Sequence, residues 1–187
     1  VIISTREPAK LADWSRAHSG SKVGDTREAA AFGEIVVLAV KGAAASQALE
    51  AAGRENLAGK TVIDTCNPIA DALPDHGVLP FFTGPNESLM EQLQRKFPDT
   101  YFVKAFNSVG SANMVNPQFA ERPTMFICGN DEAAKERVAA ILDQFGWETA
   151  DMGAAEAARA IDTLCILWCI LGFTKNEWTH AFRLLHR

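Results

Sequence analysis

Short runs of apolar residues alternate with segments of helical periodicity along most of this 187-residue chain. The clearest run, at 35–40, is apolar at every position, which is typical of a parallel strand buried on both faces. Further strands are predicted over 1–4, 61–64, 101–105, 124–128 and 147–152. Because such alternation is typical of parallel sheets covered by helices, it predicts an α/β fold, a Rossmann-like doubly wound, mostly parallel sheet with C-terminal helices.

Helical segments are predicted between these strands, over 8–17, 26–32, 43–52, 86–96 and 131–145. Asp25 and Asn86 are the expected N-caps of two of them, because short polar side chains accept hydrogen bonds from the first free amides of a helix. The pattern from 154 to 186 is helical throughout, with a break expected near 172–176. Residues 69–84 carry proline and glycine with little periodicity and predict a loop over the sheet.

The first strand ends in Ser4, Thr5 and Arg6, and Lys10 follows shortly after. In dinucleotide-binding α/β folds, a carboxylate at the end of the second strand binds the ribose 2′-hydroxyl, whereas hydroxyls and an arginine accommodate a 2′-phosphate. Arg6 would bind that phosphate through its forked guanidinium group, and Lys10 would supply a second positive charge. A solvated arginine beside an ordinary helix start is the alternative. This strand end predicts NADP(H) as the cofactor.

The glycine-rich turn that holds the pyrophosphate in such folds lies about 20 residues before this position. No G-x-G-x-x-G occurs in this sequence. The first strand, glycine turn and first helix are therefore expected to be missing, and the sequence is expected to be part of a longer chain. Without that first strand, the second and fourth strands of the fold lack their common neighbour. The remaining residues predict an NADP-binding domain over 1–152 and a helical segment over 153–187 that packs on it or on a dimer partner.

Three other strand ends could contact the cofactor, since ligands of open α/β sheets bind beyond the carboxyl ends of the strands. Ala39 and Val40 would let the cofactor approach closely, or they are simply core. Asn67 and Pro68 could present an amide and a carbonyl to the nicotinamide carboxamide, or they form a plain turn. Asn107 could line the pocket of the second substrate, or it only caps a loop. No catalytic residue is predicted, because hydride transfer between two bound cofactors needs mainly positioning.

Composition excludes several other classes of function. A net charge of −5 gives no reason to expect nucleic acid or an anionic membrane as a partner. The four cysteines show no metal-ligand spacing, so free buried thiols in a reducing cytoplasm are predicted. The longest apolar stretch, at 164–173, is shorter than the roughly 20 residues that span a bilayer.

Together, the runs at 35–40, 59–68 and 103–107 resemble the family of NADP oxidoreductases that depend on coenzyme F(420). Its most specific part is the Lys-Ala-Phe-Asn element at 104–107, and the likeness covers almost the whole chain. Lys41 departs from it, standing where many members have proline. This family includes bacterial dinucleotide-binding enzymes and resembles the cytosolic domain of the six-transmembrane metalloreductases.

The resemblance implies hydride transfer between NADP(H) and a deazaflavin or flavin docked against the nicotinamide. By position it implies 2′-phosphate binding by Ser4, Thr5 and Arg6, dinucleotide contacts by Ala39 and Val40, and nicotinamide or acceptor contacts by Asn67, Pro68 and Asn107. Family members often dimerise through their C-terminal helices, so the apolar segment 164–171 is expected to form a homodimer. Two other functions stay open: NADPH-dependent reduction of a small carbonyl or imine compound, and a non-catalytic dinucleotide-binding module.

Overall fold

The computed structural model describes residues 1–185, and within them the chain alternates between strands and helices. The strands are β1 (Ile2–Ser4), β2 (Lys22–Gly24), β3 (Ile35–Leu38), β4 (Thr61–Asp64), β5 (Tyr101–Lys104), β6 (Thr124–Gly129) and β7 (Glu148–Asp151). The helices are α1 (Ala12–Ala17), α2 (Thr26–Phe32), α3 (Gly42–Ala52), α4 (Arg54–Leu57), α5 (Leu89–Lys96), α6 (Glu132–Gln144) and α7 (Ala158–Lys175). Short 3₁₀ turns precede α1 and α7, at Pro8–Leu11 and Ala155–Ala157, and a third lies at Ser111–Asn113.

These strands form two separate sheets. β1 and β2 pair in parallel, and β3 to β7 form a five-stranded sheet in chain order. β3, β4 and β5 are mutually parallel, β6 runs antiparallel to β5, and β7 is parallel to β6. The predicted α/β class with a mostly parallel sheet is therefore confirmed.

β1 and β3 lie in different sheets. The prediction that the 35–40 strand is buried on both faces is wrong. β3 is an edge strand whose one pairing partner is β4, and Val37 is 57% exposed while Leu38 is buried. Apolar residues therefore predicted this strand correctly but not its place in the sheet.

Helices cover both faces of the larger sheet, which makes the fold doubly wound. On one face, Val62 and Phe102 pack with buried residues of α3, α5 and α7. On the other face, Ile63 and Val103 pack with buried residues of α6. Because side chains alternate along a strand, Asp64 and Lys104 point to the same face as Val62 and Phe102.

Local signals placed most helices correctly, but two elements were missed. Asp25 caps α2 as predicted, accepting a hydrogen bond from the amide of Glu28 at 2.7 Å. β2 and α4 were not predicted, because each has only three or four residues and too few apolar positions to show a period. Asn86 does not cap α5; that role belongs to Ser88, whose hydroxyl accepts from the amide of Glu91.

The C-terminal segment is only partly helical. α7 ends at Lys175, and the following C-cap residue Asn176 adopts the left-handed conformation, close to the predicted break. Residues 176–185 are not helical, so the predicted second helix is wrong there, and its final residue His186 lies outside the described residues. The segment instead returns to β6, where the amide of Thr124 donates to the carbonyl of Phe182 at 2.9 Å.

One helix in the described part of the chain is long and apolar enough to cross a membrane by length and composition alone. This helix comprises Ala155–Lys175, the preceding 3₁₀ turn together with α7, and its mean hydropathy is 1.5. The predicted apolar stretch at 164–173 is too short to span a bilayer, but the whole helix is long enough. In this structure 39% of its most apolar window is buried inside the protein.

The cap of α5 generates a first prediction. Replacing Ser88 by alanine should lower the free energy of unfolding by about 1 kcal/mol, because the amide of Glu91 loses its acceptor. Asn86→Ala is the matched control and should leave stability unchanged, since Asn86 is exposed and lies outside the cap. Urea denaturation of both variants measures the difference. A larger loss in Asn86→Ala than in Ser88→Ala would contradict the assignment.

Candidate active site

The end of β1 presents an open arginine. Arg6 is exposed and, within residues 1–185, makes no side-chain hydrogen bond or ion pair. The hydroxyl of Thr5 accepts from the amide of Glu7 at 3.3 Å, and the exposed Lys10 pairs with Glu7 at 2.9 Å. Ser4, half-buried, pairs with β2 in the sheet. Arg6 is therefore available to an anion, whereas the charge of Lys10 is partly neutralised by Glu7.

The end of β3 is open as well. Ala39 and Val40 are exposed there, and α3 begins at Gly42 two residues later. Gly42 lies directly against the end of β4, because a Cβ at this position would overlap the backbone carbonyl oxygen of Asn67. Only glycine allows this close approach, which joins the start of α3 to the ends of β3 and β4.

Asn67 and Asn107 form a reciprocal pair between the ends of β4 and β5. Nδ2 of Asn67 donates to the carbonyl of Asn107 at 2.8 Å, and Nδ2 of Asn107 donates to Oδ1 of Asn67 at 3.1 Å. Asn107 Nδ2 also donates to the carbonyl of Ile161 at 3.0 Å, which ties the pair to α7. Oδ1 of Asn107 is buried without a hydrogen-bond partner in residues 1–185.

The backbone before Asn107 is held in an unusual conformation. Phe106 has a φ of 60°, the left-handed region, which is uncommon for a bulky residue and costs roughly 1–2 kcal/mol. This turn follows β5 directly and directs Asn107 toward Asn67. On the neighbouring strand, the carbonyl of the buried Pro68 accepts from the amide of Phe82 at 2.9 Å. The loop that follows Pro68 is thereby fastened over the same strand end.

The residues proposed from the sequence thus form two groups. Asn67, Pro68 and Asn107 come together at the carboxyl ends of β4 and β5, with Ala39 and Val40 on the adjoining strand. The other group, Ser4, Thr5, Arg6 and Lys10, lies in the separate sheet of β1 and β2. The side-chain amides of Asn67 and Asn107 bind one another, so in this first group the acceptor left without a partner in residues 1–185 is Oδ1 of Asn107.

A buried charged cluster beside this pair was not predicted. Nζ of Lys104 lies 2.7 Å from Oδ2 of Asp64 and 3.1 Å from Oδ1 of Asp162, and it donates to the carbonyl of Cys66 at 2.7 Å. Lys104 and Asp64 are 0% exposed and Asp162 is 1% exposed. The second oxygen of Asp64 accepts from the amide of Cys66 at 2.9 Å, whereas Oδ2 of Asp162 has no partner among the described residues.

The charges in this cluster do not balance, because one ammonium faces two carboxylates. Burial disfavours the charged form of Lys104, but Asp64 and Asp162 outweigh it and raise the pKa of the ammonium. Burial also raises the pKa of Asp162, an effect that Lys104 opposes and the neighbouring Asp64 reinforces. Asp162 therefore holds a proton more readily than an ordinary carboxyl group does.

A cavity of about 230 Å³ lies against Asp162. Its walls come from the loop at 81–85, the start of α5 and the first turns of α7. The polar side chains that line it are Thr83, Glu87, Ser88, Arg159, Asp162 and Thr163. Asp162 therefore forms part of the wall of a cavity that could hold a small ligand.

The sequence holds a weak signal for this cluster. Lys104 and Asp64 each end a buried strand, and the parallel register pairs them directly. Asp162 is an acid close to the start of the apolar closing helix. Charged residues in such apolar segments are rarely buried unless they are paired. Their joint presence therefore indicates a buried ion pair. Pairing them required knowledge of the strand order and of the face that α7 covers.

Its fold and strand-end geometry define this chain as a dinucleotide-binding α/β protein. The family model described as NADP oxidoreductase, coenzyme F(420)-dependent, matches residues 1–68. The solved structure of a candidate F(420)-dependent NADP-reductase from Arthrobacter sp. FB24 is 34% identical, superposes with a TM-score of 0.91, and matches 100% of this chain and 88% of that one. The chain belongs to the coenzyme F(420)-dependent NADP oxidoreductase family.

More distant relatives are longer than this chain. The F420-dependent NADP reductase of Methanocaldococcus jannaschii is 28% identical over 75% of this chain and 62% of its own length. The metalloreductase STEAP3 of Rattus norvegicus is 28% identical over 88% of this chain, which spans 31% of that protein. An imine reductase from Myxococcus stipitatus solved with NADP⁺ shares the fold with a TM-score of 0.59 at 17% identity.

The buried cluster generates a stability prediction. Replacing Lys104 by methionine should lower the free energy of unfolding by about 3–5 kcal/mol, because two buried carboxylates lose their counter-ion. Asp162→Asn should cost far less, since Lys104 keeps Asp64 and the surplus charge disappears. Guanidinium denaturation of the two variants at neutral pH compares them. Equal losses would show that the charge imbalance has no energetic effect.

The raised pKa of Asp162 generates a pH prediction. Folded Asp162 keeps its proton at pH values where the unfolded chain, with an ordinary carboxyl pKa near 4, has lost it. This contribution is fully present below pH 4 and is lost as the pH rises through the folded pKa. Asp162→Asn should therefore gain stability relative to the wild type as the pH rises from about 4 to 8. A difference that stays constant with pH would contradict this.

Proposed function

We propose that this chain is an NADPH-dependent oxidoreductase that transfers hydride between NADP(H) and a deazaflavin or flavin-like acceptor. The observation that carries the proposal is the open Arg6 at the carboxyl end of β1, in a chain of an NADP oxidoreductase family. Arginine binds phosphate through two parallel hydrogen bonds, which suits the 2′-phosphate that distinguishes NADP from NAD.

The nicotinamide end of the cofactor is proposed to lie at the Asn67–Asn107 pair. Both side chains are held rigidly, which leaves Oδ1 of Asn107 as an acceptor for the carboxamide NH₂. Ala39 and Val40 line the path between the two groups, with no bulky polar side chain at these two positions. The cofactor would be held at its carboxamide by Asn107 and at its 2′-phosphate by Arg6. These two contacts would position the nicotinamide, which is the main requirement for hydride transfer.

A small carbonyl or imine compound is the second candidate acceptor. The cavity against Asp162 favours it, because about 230 Å³ is smaller than usual for drug-sized ligands. A deazaflavin would have to dock with its reactive ring edge at the cavity and its remainder outside. Measuring NADPH oxidation with a deazaflavin and with a small cyclic imine separates the two candidates.

A homodimer in the cytoplasm is proposed as the working state. α7 exposes Leu167 at 54% and Phe173 at 47%, large apolar side chains that a second copy could cover. The same helix contributes Ile161 to the core of the 1–152 domain, so one α7 would serve both packing roles. All four cysteines are free and buried, as predicted, which is compatible with a reducing compartment.

The role of Arg6 can be tested by binding. Arg6→Ala should weaken NADPH about 10–100-fold, the loss expected for a charge-assisted hydrogen bond of 1.5–3 kcal/mol, and leave NADH unchanged. Arg16→Ala is the matched control, since Arg16 is exposed on α1 and pairs with Asp13. Calorimetric titration with NADPH, NADH and 2′-AMP provides the measurement. The nucleotide 2′-AMP carries the 2′-phosphate without the pyrophosphate, so it reports on the Arg6 site alone. Equal binding of 2′-AMP and 5′-AMP by the wild type would overturn this assignment.

A further inference from the structure

The cavity beside Asp162 adjoins the proposed nicotinamide site on two sides. Pro68 holds the backbone of Phe82 through a hydrogen bond, and the preceding Phe81 lines the cavity. Asn107 holds the carbonyl of Ile161, and the following Asp162 also lines the cavity. Pro68 and Asn107, two of the three residues proposed to contact the nicotinamide, are thus each fastened to a segment that forms a cavity wall. The proposed nicotinamide position and the cavity therefore share these two segments.

Asp162 is the buried ionisable group that this cavity touches. Its Oδ1 faces the ammonium of Lys104, while Oδ2 is buried without any partner in residues 1–185. An unpaired carboxylate oxygen is among the most costly groups to bury, whereas a protonated one can donate a hydrogen bond. Oδ2 of Asp162 is therefore the oxygen that is free to carry a proton, in a residue that forms part of the cavity wall.

The surrounding charges leave Lys104 as the group that compensates Asp162. The ionisable groups that face it are Asp64 from β4, Lys104 from β5, Glu91 from α5, Arg159 from the cavity wall, and the thiols of Cys128 and Cys165. Arg159 is bound by both oxygens of Glu91, and Glu87 at the cavity wall is paired with Arg95. The surplus negative charge of the cluster therefore stays with the two aspartates unless one is protonated.

We propose that Asp162 is the proton donor of the reaction, acting on the acceptor's nitrogen or oxygen in this cavity. The proposal rests on the proposed oxidoreductase function. In the reductive direction, C4 of NADPH gives its hydride, with both electrons of that bond, to the acceptor carbon. The O–H bond of Asp162 breaks and its proton passes to the nitrogen or oxygen that accepts the displaced π electrons. The products are NADP⁺, the reduced acceptor and the Asp162 carboxylate, which Lys104 stabilises until solvent returns a proton.

Substitution tests this role directly. Asp162→Asn should reduce kcat/KM for the acceptor by about 10²–10⁴-fold, the usual contribution of a general acid, and leave the Kd of NADPH unchanged. Wild-type turnover should fall as the pH rises through the pKa of Asp162, and the variant should lose this dependence. Thr174→Val is the matched control, because Thr174 lies on the same helix α7 outside the cavity and its hydroxyl donates to the carbonyl of Ile170. An Asp162→Asn enzyme with turnover close to that of Thr174→Val would overturn the proposal.

A spectroscopic measurement keeps the test independent of turnover. Infrared spectra at about pH 5–6, where ordinary carboxyl groups have lost their proton, should show the C=O band of a protonated carboxylic acid in the wild type, absent in Asp162→Asn and retained in Thr174→Val. Absence of that band in the wild type would overturn the proton donor even if the enzyme is active. If the band is present but NADPH reduces no acceptor, the proposed function fails while the protonated Asp162 stands.

Discussion

The ion cluster of Lys104, Asp64 and Asp162 is the constraint on which the candidate active site depends. A buried ammonium is tolerated only where carboxylates and carbonyls surround it, and here the partners come from β4 and α7. The cluster thus locks the register of two strands to the rotation of the closing helix. Lys104 also binds the carbonyl of Cys66, next to Asn67, so the strand end that faces the proposed nicotinamide site is held by the same group.

The Asn67–Asn107 pair connects the ion cluster to the proposed nicotinamide site. Phe106, in the left-handed conformation, turns the chain shortly after β5. The side chain of Asn107 then joins Asn67, at the end of β4, to Ile161 on α7. A strained residue persists where its surroundings determine it, and those surroundings are the two strands and the helix that the ion cluster joins. The strain, the amide pair and the buried charges therefore form one connected structure beneath the proposed nicotinamide position.

The phosphate end of the proposed site is built differently. Arg6 lies on a small two-stranded sheet, and β3 exposes Val37 at the edge of the larger one. Apolar residues favour a strand because of their propensity and burial, but burial is supplied by neighbours. The strand at 35–40 was therefore predicted correctly as a strand and wrongly as a buried one. The same limit applies to Asn86, which was predicted to cap α5, whereas the helix begins after Ser88 and Ser88 caps it.

The sequence alone established the features that depend on residues close together in the chain. These include the alternation of strands and helices, the Asp25 cap of α2, and the polar strand ends at Arg6, Asn67 and Asn107. The meeting of Asp64, Lys104 and Asp162 in one buried cluster, with a cavity against Asp162, depends instead on the tertiary structure. The physical reason is that a charge can be buried only beside its counter-charge, and those partners lie in segments far apart in the chain. Strand register and helix packing bring them together, and neither is encoded in the local pattern around any one of them.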